Sequence, residues 1–270
     1  MSDLGKRIGF GVIAAPFFIG MLWLGGWAFK AMIIAIVLLI QYEILTMLRK
    51  AGYPFFLLPA VAIAVLVLLT SELETMIPVL AFLFIWLITA AIVHIDGKMA
   101  INGMMNTLFA GFYASVGMLF LILLREIQPD FAGFTLAFTM ILMVWGNDIF
   151  AYFVGKNFGK NLMVPSISPK KTWEGAAGGV VGALVALTLC WLLIPGYPFE
   201  FFILLPLVPI ISIAGPIGDV FASRLKRVVN IKDSSTILPG HGGFFDRFDA
   251  MLAAMPASYI YLFIIGVTGT

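Results

Sequence analysis

Long apolar runs separated by short polar breaks cover this chain. A membrane-spanning helix needs about 20 mostly apolar residues, and on that criterion nine spans are predicted, near 8–28, 31–48, 54–70, 76–93, 104–124, 133–154, 174–194, 199–221 and 250–268. The third is short, and the eighth carries Pro206, Pro209, Pro216 and Gly218, of which Pro216 and Gly218 should bend or loosen its helix. No repeat, low-complexity segment or flexible linker divides the chain. The expected fold is an all-α, polytopic transmembrane helical bundle. Residues 1–130 read as a scaffold, and residues 131–270 as a catalytic region with cytoplasmic loops at 155–174 and 222–249.

Composition agrees with the pattern. Hydrophobic residues make up 62% of the chain and charged residues 11%, against about 45–50% and 25% in soluble domains. A soluble domain of this size would leave too much apolar surface facing water. The single cysteine, Cys190, excludes an intramolecular disulfide, and two histidines, His94 and His241, argue against a zinc site built from Cys and His. The first apolar run, Ile8 to Trp27, is long enough to span and lacks a small-x-small cleavage site, so it is expected to be a span and not a cleaved signal.

Charge sets the expected orientation. With the N-terminus in the cytoplasm, 14 of the 16 Lys and Arg residues fall inside, and only Lys30 and Arg125 outside; cytoplasmic flanks carry such an excess. The outer loops instead hold Glu72, Glu74, Glu126, Asp130 and Glu200.

Polar residues concentrate in the second half. In the N-terminal half, Glu43 is expected to snorkel to the interface or bond Gln41 or Tyr42, and His94 and Asp96 to be solvated at a span end. Asp148, next to Asn147 within the sixth span, needs a partner or a water-filled cavity. It either pairs inside the bundle or meets a substrate or metal, and it shares a helical face with Tyr152 and Lys156. Before the seventh span, Ser168, Lys170, Lys171 and Thr172 form either a phosphate cradle at a helix N-terminus or an ordinary positive flank with a hydroxyl cap. Gly175, Gly178, Gly179 and Gly182 then permit close helix packing.

The most polar stretch is 223–249, a tenth of the chain that holds eight of its 30 charged side chains. Asp219, Ser223, Lys226 and Asn230 recur on one helical face, and after the Pro239–Gly243 turn Asp246 and Asp249 are three residues apart. Carboxylates among basic side chains suit a divalent cation that neutralises phosphates, with Lys and Arg holding the remaining oxygens. Salt bridges in a solvated loop are the plain alternative. The lone His241, between glycines, suits hydrogen bonding better than metal ligation.

These residues also carry a family resemblance. Ser223-x-Leu225-Lys226-Arg227, then Lys232-Asp233, then Pro239-x-His241-Gly242-Gly243-x-x-Asp246-Arg247-x-Asp249 resembles the signature of the phosphatidate cytidylyltransferases, or CDP-diacylglycerol synthases. Ser168-Pro169-Lys170-Lys171-Thr172-x-Glu174-Gly175 is similar to a second motif, and Asn147-Asp148 with Ala151-Tyr152 to a third. Ile149-Phe150 departs from the small residues of many bacterial members, so no substrate contact is assigned there. The motifs lie in the last half of the chain, whereas the first 130 residues resemble the family only as a hydrophobic pattern.

The resemblance implies an enzyme of the inner cell membrane, with its active site facing the cytoplasm, that joins CTP and phosphatidic acid to give CDP-diacylglycerol and pyrophosphate with Mg²⁺. It implies Asp219 and Asp246 as metal ligands, with Asp249 and Asp148 as further candidates. Lys170, Lys171, Lys226, Arg227, Lys232 and Arg247 would hold phosphates, Ser223 and His241 would orient them, and Ser168 and Thr172 would line the substrate site. Asp219, Asp246, Lys226 and Arg247 are the expected catalytic set. The partners are the two substrates and membrane lipid, with no nucleic acid and a homodimer left open. A lipid translocase, which would favour inverted repeats and midplane charges, and a CTP-dependent lipid kinase, which would transfer the γ-phosphate, are the rival classes.

Overall fold

Inside a bilayer the backbone can satisfy its own N–H and C=O groups only in helices or closed barrels, and this sequence takes the helical solution. A computed structural model describes residues 3–69, 81–86, 88–89, 97–127, 131–238 and 242–267. Its helices are α1 (Asp3–Leu24), α2 (Gly26–Lys50), α3 (Leu57–Leu69), α4 (Gly97–Glu126), α5 (Phe131–Phe158), α6 (Trp173–Leu193), α7 (Phe201–Leu204), α8 (Leu207–Val228) and α9 (Phe245–Ile264). Among the described residues five helical stretches are long and apolar enough to cross a membrane: Gly26–Lys50, Ile101–Glu126, Phe131–Phe158, Trp173–Leu193 and Phe201–Val228, the last made of α7 and α8. Gly11–Leu24 and Leu57–Leu69 are apolar but shorter. The span expected at 76–93 falls mostly outside the described residues, as do Glu72, His94 and Asp96.

One expectation needs correction. The fold is not purely helical, because β1 (Leu162–Val164) and β2 (Ser168–Thr172) form an antiparallel hairpin between α5 and α6, pairing Leu162 with Thr172 and Val164 with Ser168. Helix α8 runs unbroken through Pro216 and Gly218. Membrane helices tolerate proline where neighbouring helices and side chains compensate, and the break in this span falls earlier, at Leu205–Pro206.

The core draws on most of the bundle, with Leu22, Phe29, Ile33, Ile63, Met118, Met140, Leu187, Ile211 and Met255 all buried. Glycines set the tightest contact, between α5 and α6. A side chain at Gly182 would strike the carbonyl oxygen of Gly146 and Cβ of Phe150, and one at Gly178 would meet Val154. At Gly179 the neighbour is the buried side chain of Asn147. The expected close packing along this glycine seam is what forms.

Lys30, Arg125 and Glu126 gather at one end of the bundle. Arg125 Nε donates to Leu22 O at 2.8 Å, which helps close the end of α1, and Lys30 pairs with Glu126 at 2.9 Å. Arg49 and Lys50 end α2, Lys156 ends α5, Lys226 and Arg227 end α8, and Glu174 and Asp246 lie in the first turns of α6 and α9.

Candidate active site

α5, the hairpin, α6, α8 and α9 surround a cleft of about 530 Å³. Six cations line it, Lys170, Lys171, Lys226, Arg227, Lys232 and Arg247, together with five carboxylates, Asp148, Asp219, Asp233, Asp246 and Asp249. Ser168, Thr172 and Ser223 add hydroxyls, and Asn147 and Tyr152 complete the wall toward α5. The topology thus brings together three polar segments that are far apart in the chain. Of the expected site residues only His241 is missing from this lining, and it lies outside the described residues. Asp148 stands ten residues before the end of α5, so at 1.5 Å per residue the cleft reaches about 15 Å below that end. Asp148 opens into the cleft and feels the charges of Asp219, Lys171 and Arg247.

Two Lys–Asp pairs divide the site. Lys171 Nζ lies 2.8 Å from Asp219 Oδ2, with side chains 22% and 39% exposed, and it also donates to Pro216 O at 3.2 Å. Ser223 Oγ donates to the other oxygen of Asp219 at 3.3 Å, as the shared face of α8 predicts. The second pair, Lys226 with Asp246, is buried, with side chains 9% and 8% exposed. Asp246 Oδ1 takes the ammonium, while Oδ2 accepts from Ser234 N at 2.8 Å and Gly243 N at 3.0 Å, with the Ser234 hydroxyl 3.0 Å away. Burial pushes the Asp246 carboxyl up, but Lys226 and the Gly243 and Ser234 donors outweigh it and hold the group below the usual carboxylate range.

The polar face predicted from Asp219 to Asn230 stops at Lys226. Asn230 has φ 55, a left-handed conformation that asparagine tolerates, and it ends α8 in a Schellman motif. The amide of Asn230 donates to Arg227 O and that of Ile231 to Lys226 O, both at 3.1 Å. Arg227 Nη1 then donates to Ile231 O at 2.7 Å, which turns the chain into the 232–244 loop.

Glu43 anchors the far side of that loop. It is buried, and neither of its expected fates is seen, because Gln41 instead donates to Ala60 O and Ala110 O. Glu43 Oε1 accepts from Ser235 Oγ at 2.6 Å and Phe244 N at 3.0 Å, and Oε2 from Ser234 Oγ at 2.6 Å and Phe245 N at 2.9 Å. The acid caps two of the orphan amides at the start of α9. The sequence did offer a signal, a lone carboxylate in an apolar span. Its partners, about 200 positions away, could not be read from it.

Thr172 is the N-cap of α6, accepting from Gly175 N at 3.1 Å. Glu174 accepts from the amides of Lys160 and Asn161 and from the Asn161 side chain, tying the turn after α5 to the first turn of α6. The flank before α6 is therefore both capped and cleft-lining, and the hairpin turns Lys171 toward Asp219 while Lys170 stays exposed at the rim. Asn147, not singled out as a site residue from sequence, is buried at the cleft wall, and its Oδ1 has no hydrogen-bond partner among the described residues.

Among the described residues no group of three metal-ligating side chains is preassembled into a chelate. Magnesium usually keeps several waters and binds through one or two carboxylates plus substrate phosphates. Asp249 interacts electrostatically with both Asp219 and Asp148. Hard carboxylate oxygens facing one another across a cleft have the donor chemistry such an ion requires.

A helical bundle whose described residues include five apolar stretches of membrane-spanning length, with a mixed-charge cleft at one end, has the make-up of an integral-membrane protein. More specifically, the sequence matches the cytidylyltransferase family over residues 5–265, and the chain belongs to that family. It is 34% identical to a Bacillus subtilis protein named phosphatidate cytidylyltransferase, over 97% of this chain and 98% of the relative. A protein of the same name from Thermotoga maritima is 30% identical over 96% of each chain. Another from Aquifex aeolicus is 39% identical over 60% of this chain and 58% of its own.

Proposed function

We propose that this chain is a phosphatidate cytidylyltransferase, converting CTP and phosphatidic acid to CDP-diacylglycerol and pyrophosphate at the cytoplasmic face of the inner membrane. The observation that carries the reading is the cleft itself, six cations and five carboxylates open at one end of an apolar bundle. A lipid phosphate can reach such a site from the interface while a nucleotide arrives from water. A phosphate monoester already carries about −1.5 to −2 charge at neutral pH, so it is an anionic nucleophile and needs no activated Ser or Cys.

In the reaction an oxygen of the lipid phosphate forms a bond to the α-phosphorus of CTP. The bond from that phosphorus to the bridging oxygen of the β-phosphate breaks, and its electron pair leaves with pyrophosphate. Catalysis is then largely in-line positioning and charge neutralisation. Lys171 is suited to the exchange, since its half-open pair with Asp219 can be traded for a phosphate oxygen. Lys170, Arg227, Lys232 and Arg247 supply further phosphate contacts from the walls, and Ser223 orients Asp219.

Formal charge supports a cation, because six positive and five negative side chains leave only one excess charge for two phosphorylated substrates. Mg²⁺, when bound, would neutralise the phosphate oxygens and polarise the α-phosphate. Asp219 and Asp249 are the proposed ligands, with Asp148 beside them. Asp246, expected from the sequence to be a ligand, is assigned to holding Lys226 and the loop, since both of its oxygens are engaged there.

The same proposal takes the N-terminus as cytoplasmic and the chain as crossing nine times. It is supported by the 14-to-2 distribution of Lys and Arg and by the gathering of Lys30 and Arg125 at one bundle end. The test is pyrophosphate release by the purified protein. Release that needs CTP, phosphatidic acid and Mg²⁺ together is expected; release with CTP alone, or none with all three, would overturn the reading.

A further inference from the structure

Glu43 belongs to α2, within the half of the chain that carries none of the family's motifs, yet three of its four bonds go to the loop that builds the cleft and the fourth to the first residue of α9. A carboxylate has about four lone-pair sites, and here two donors face each oxygen. Ser234 links this acid to the cleft. Its hydroxyl lies between Glu43 Oε2 at 2.6 Å and Asp246 Oδ2 at 3.0 Å, and its amide donates to the same Asp246 oxygen. Asp246 in turn holds the buried ammonium of Lys226. The packing leaves no slack, because a side chain at Gly243 would collide with Ser234 Oγ and both oxygens of Glu43.

We infer that Glu43 is a positioning residue for cytidylyl transfer, setting the place of Lys226 in the cleft through Ser234 and Asp246. The inference rests on the proposed function above. An acid in a hydrophobic helix has a strong preference for polar partners, and Ser234, Ser235, Phe244 and Phe245 supply them here. Ser234, Ser235, Phe244 and Phe245 are thus fixed against α2 and not merely laid over the membrane surface. Displacing a catalytic group by about 1 Å can cost on the order of 100-fold in rate, so a loose clamp should appear in turnover before it appears in substrate affinity.

The experiment uses the full-length purified protein and measures transfer of label from α-labelled CTP to phosphatidic acid, per folded molecule, over ranges of both substrates. Glu43→Gln keeps the shape but turns one acceptor oxygen into an NH₂ group facing two donors. It should lower kcat by about 10- to 100-fold with KM for either substrate within about 3-fold. Hydrogen exchange of the 233–245 amides should rise in the substrate-free protein. Ser234→Ala, a smaller change should Glu43→Gln fail to fold, should reproduce the kcat loss, and the double variant should be little worse than either single one, since residues acting as a unit are not additive. A folded Glu43→Gln or Ser234→Ala protein with wild-type kcat, or fully additive losses, would overturn the inference. If the wild-type protein itself moves no label into lipid, the proposed function fails instead.

Discussion

Replacing Asp246 by Asn should destabilise the protein far more than breaking the other Lys–Asp pair in the same cleft. Both partners of the Lys226–Asp246 pair are more than nine-tenths buried, and removing one member of such a pair leaves an uncompensated buried charge at a cost of about 3–5 kcal/mol. An Asn at this position must also present an NH₂ group to the Lys226 ammonium or to the Ser234 and Gly243 amides, all of which are donors. At about 2–4 °C per kcal/mol for a chain of this order of size, the unfolding midpoint should fall on the order of 10 °C. Lys171→Met breaks a pair whose side chains are 22% and 39% exposed. Solvent-screened pairs of that kind are worth about 0–1 kcal/mol, so the midpoint should move by no more than about 4 °C while transfer activity falls. The assay is thermal unfolding in detergent micelles at fixed ionic strength, with Lys226→Met/Asp246→Asn as a third variant. That double change should recover part of the loss, because the stranded ammonium is gone. An Asp246→Asn midpoint close to wild type, or equal destabilisation by Lys171→Met, would refute the division of the cleft into a fixed, buried pair and an exchangeable one.

Acid should act on the same pair in a definite direction. The folded-state carboxyl of Asp246 lies below its ordinary value, so its contribution is complete above the unfolded value of about 3.9 and is lost as pH falls through the folded one; the stability gap between wild type and Asp246→Asn should therefore shrink below about pH 4. Lys170→Gln/Lys171→Gln should raise KM for CTP or phosphatidic acid with membrane insertion unchanged, and unaltered kinetics would leave those residues as a positive flank only. Gly182→Leu should drive α5 from α6, because its side chain meets backbone at Gly146; a cost of about 1–3 kcal/mol is expected by unfolding, and a wild-type midpoint would contradict the seam. In a Cys190→Ser background, cysteines at the exposed positions Thr236 and Glu200 should react with an impermeant thiol reagent from opposite sides of the membrane, and labelling of both from one side would reject the proposed topology.

The helices were legible because a span is a local property, about 20 apolar residues in a row; α2, α4, α5 and α6 lie where the hydrophobic runs predict them. The α5–α6 contact was legible too, since small residues four apart declare a close approach without naming the partner. What escaped was set by distant contacts or by the exact register of a turn. Ser168–Thr172 carries no strand pattern of its own, and becomes one only because Leu162–Val164 folds back on it. Asn230 continues the polar face of α8 in sequence, but its left-handed backbone ends the helix there. Asp219 and Asp246 were both recognised as charged groups of one site, yet which lysine each would take depends on the hairpin in one case and the loop closure in the other. Glu43 shows the limit most clearly, with its bonds spanning 191 to 202 positions.

The central claim is that this cleft transfers a cytidylyl group to a lipid phosphate. It is tested most directly by giving the purified protein phosphatidic acid vesicles, Mg²⁺ and CTP labelled in separate reactions at the α- or the γ-phosphate. The account predicts label in the lipid from α-labelled CTP and label in pyrophosphate, never in lipid, from γ-labelled CTP. Lipid carrying the γ-label would mark a kinase, and an unlabelled lipid in both reactions would contradict the assignment altogether.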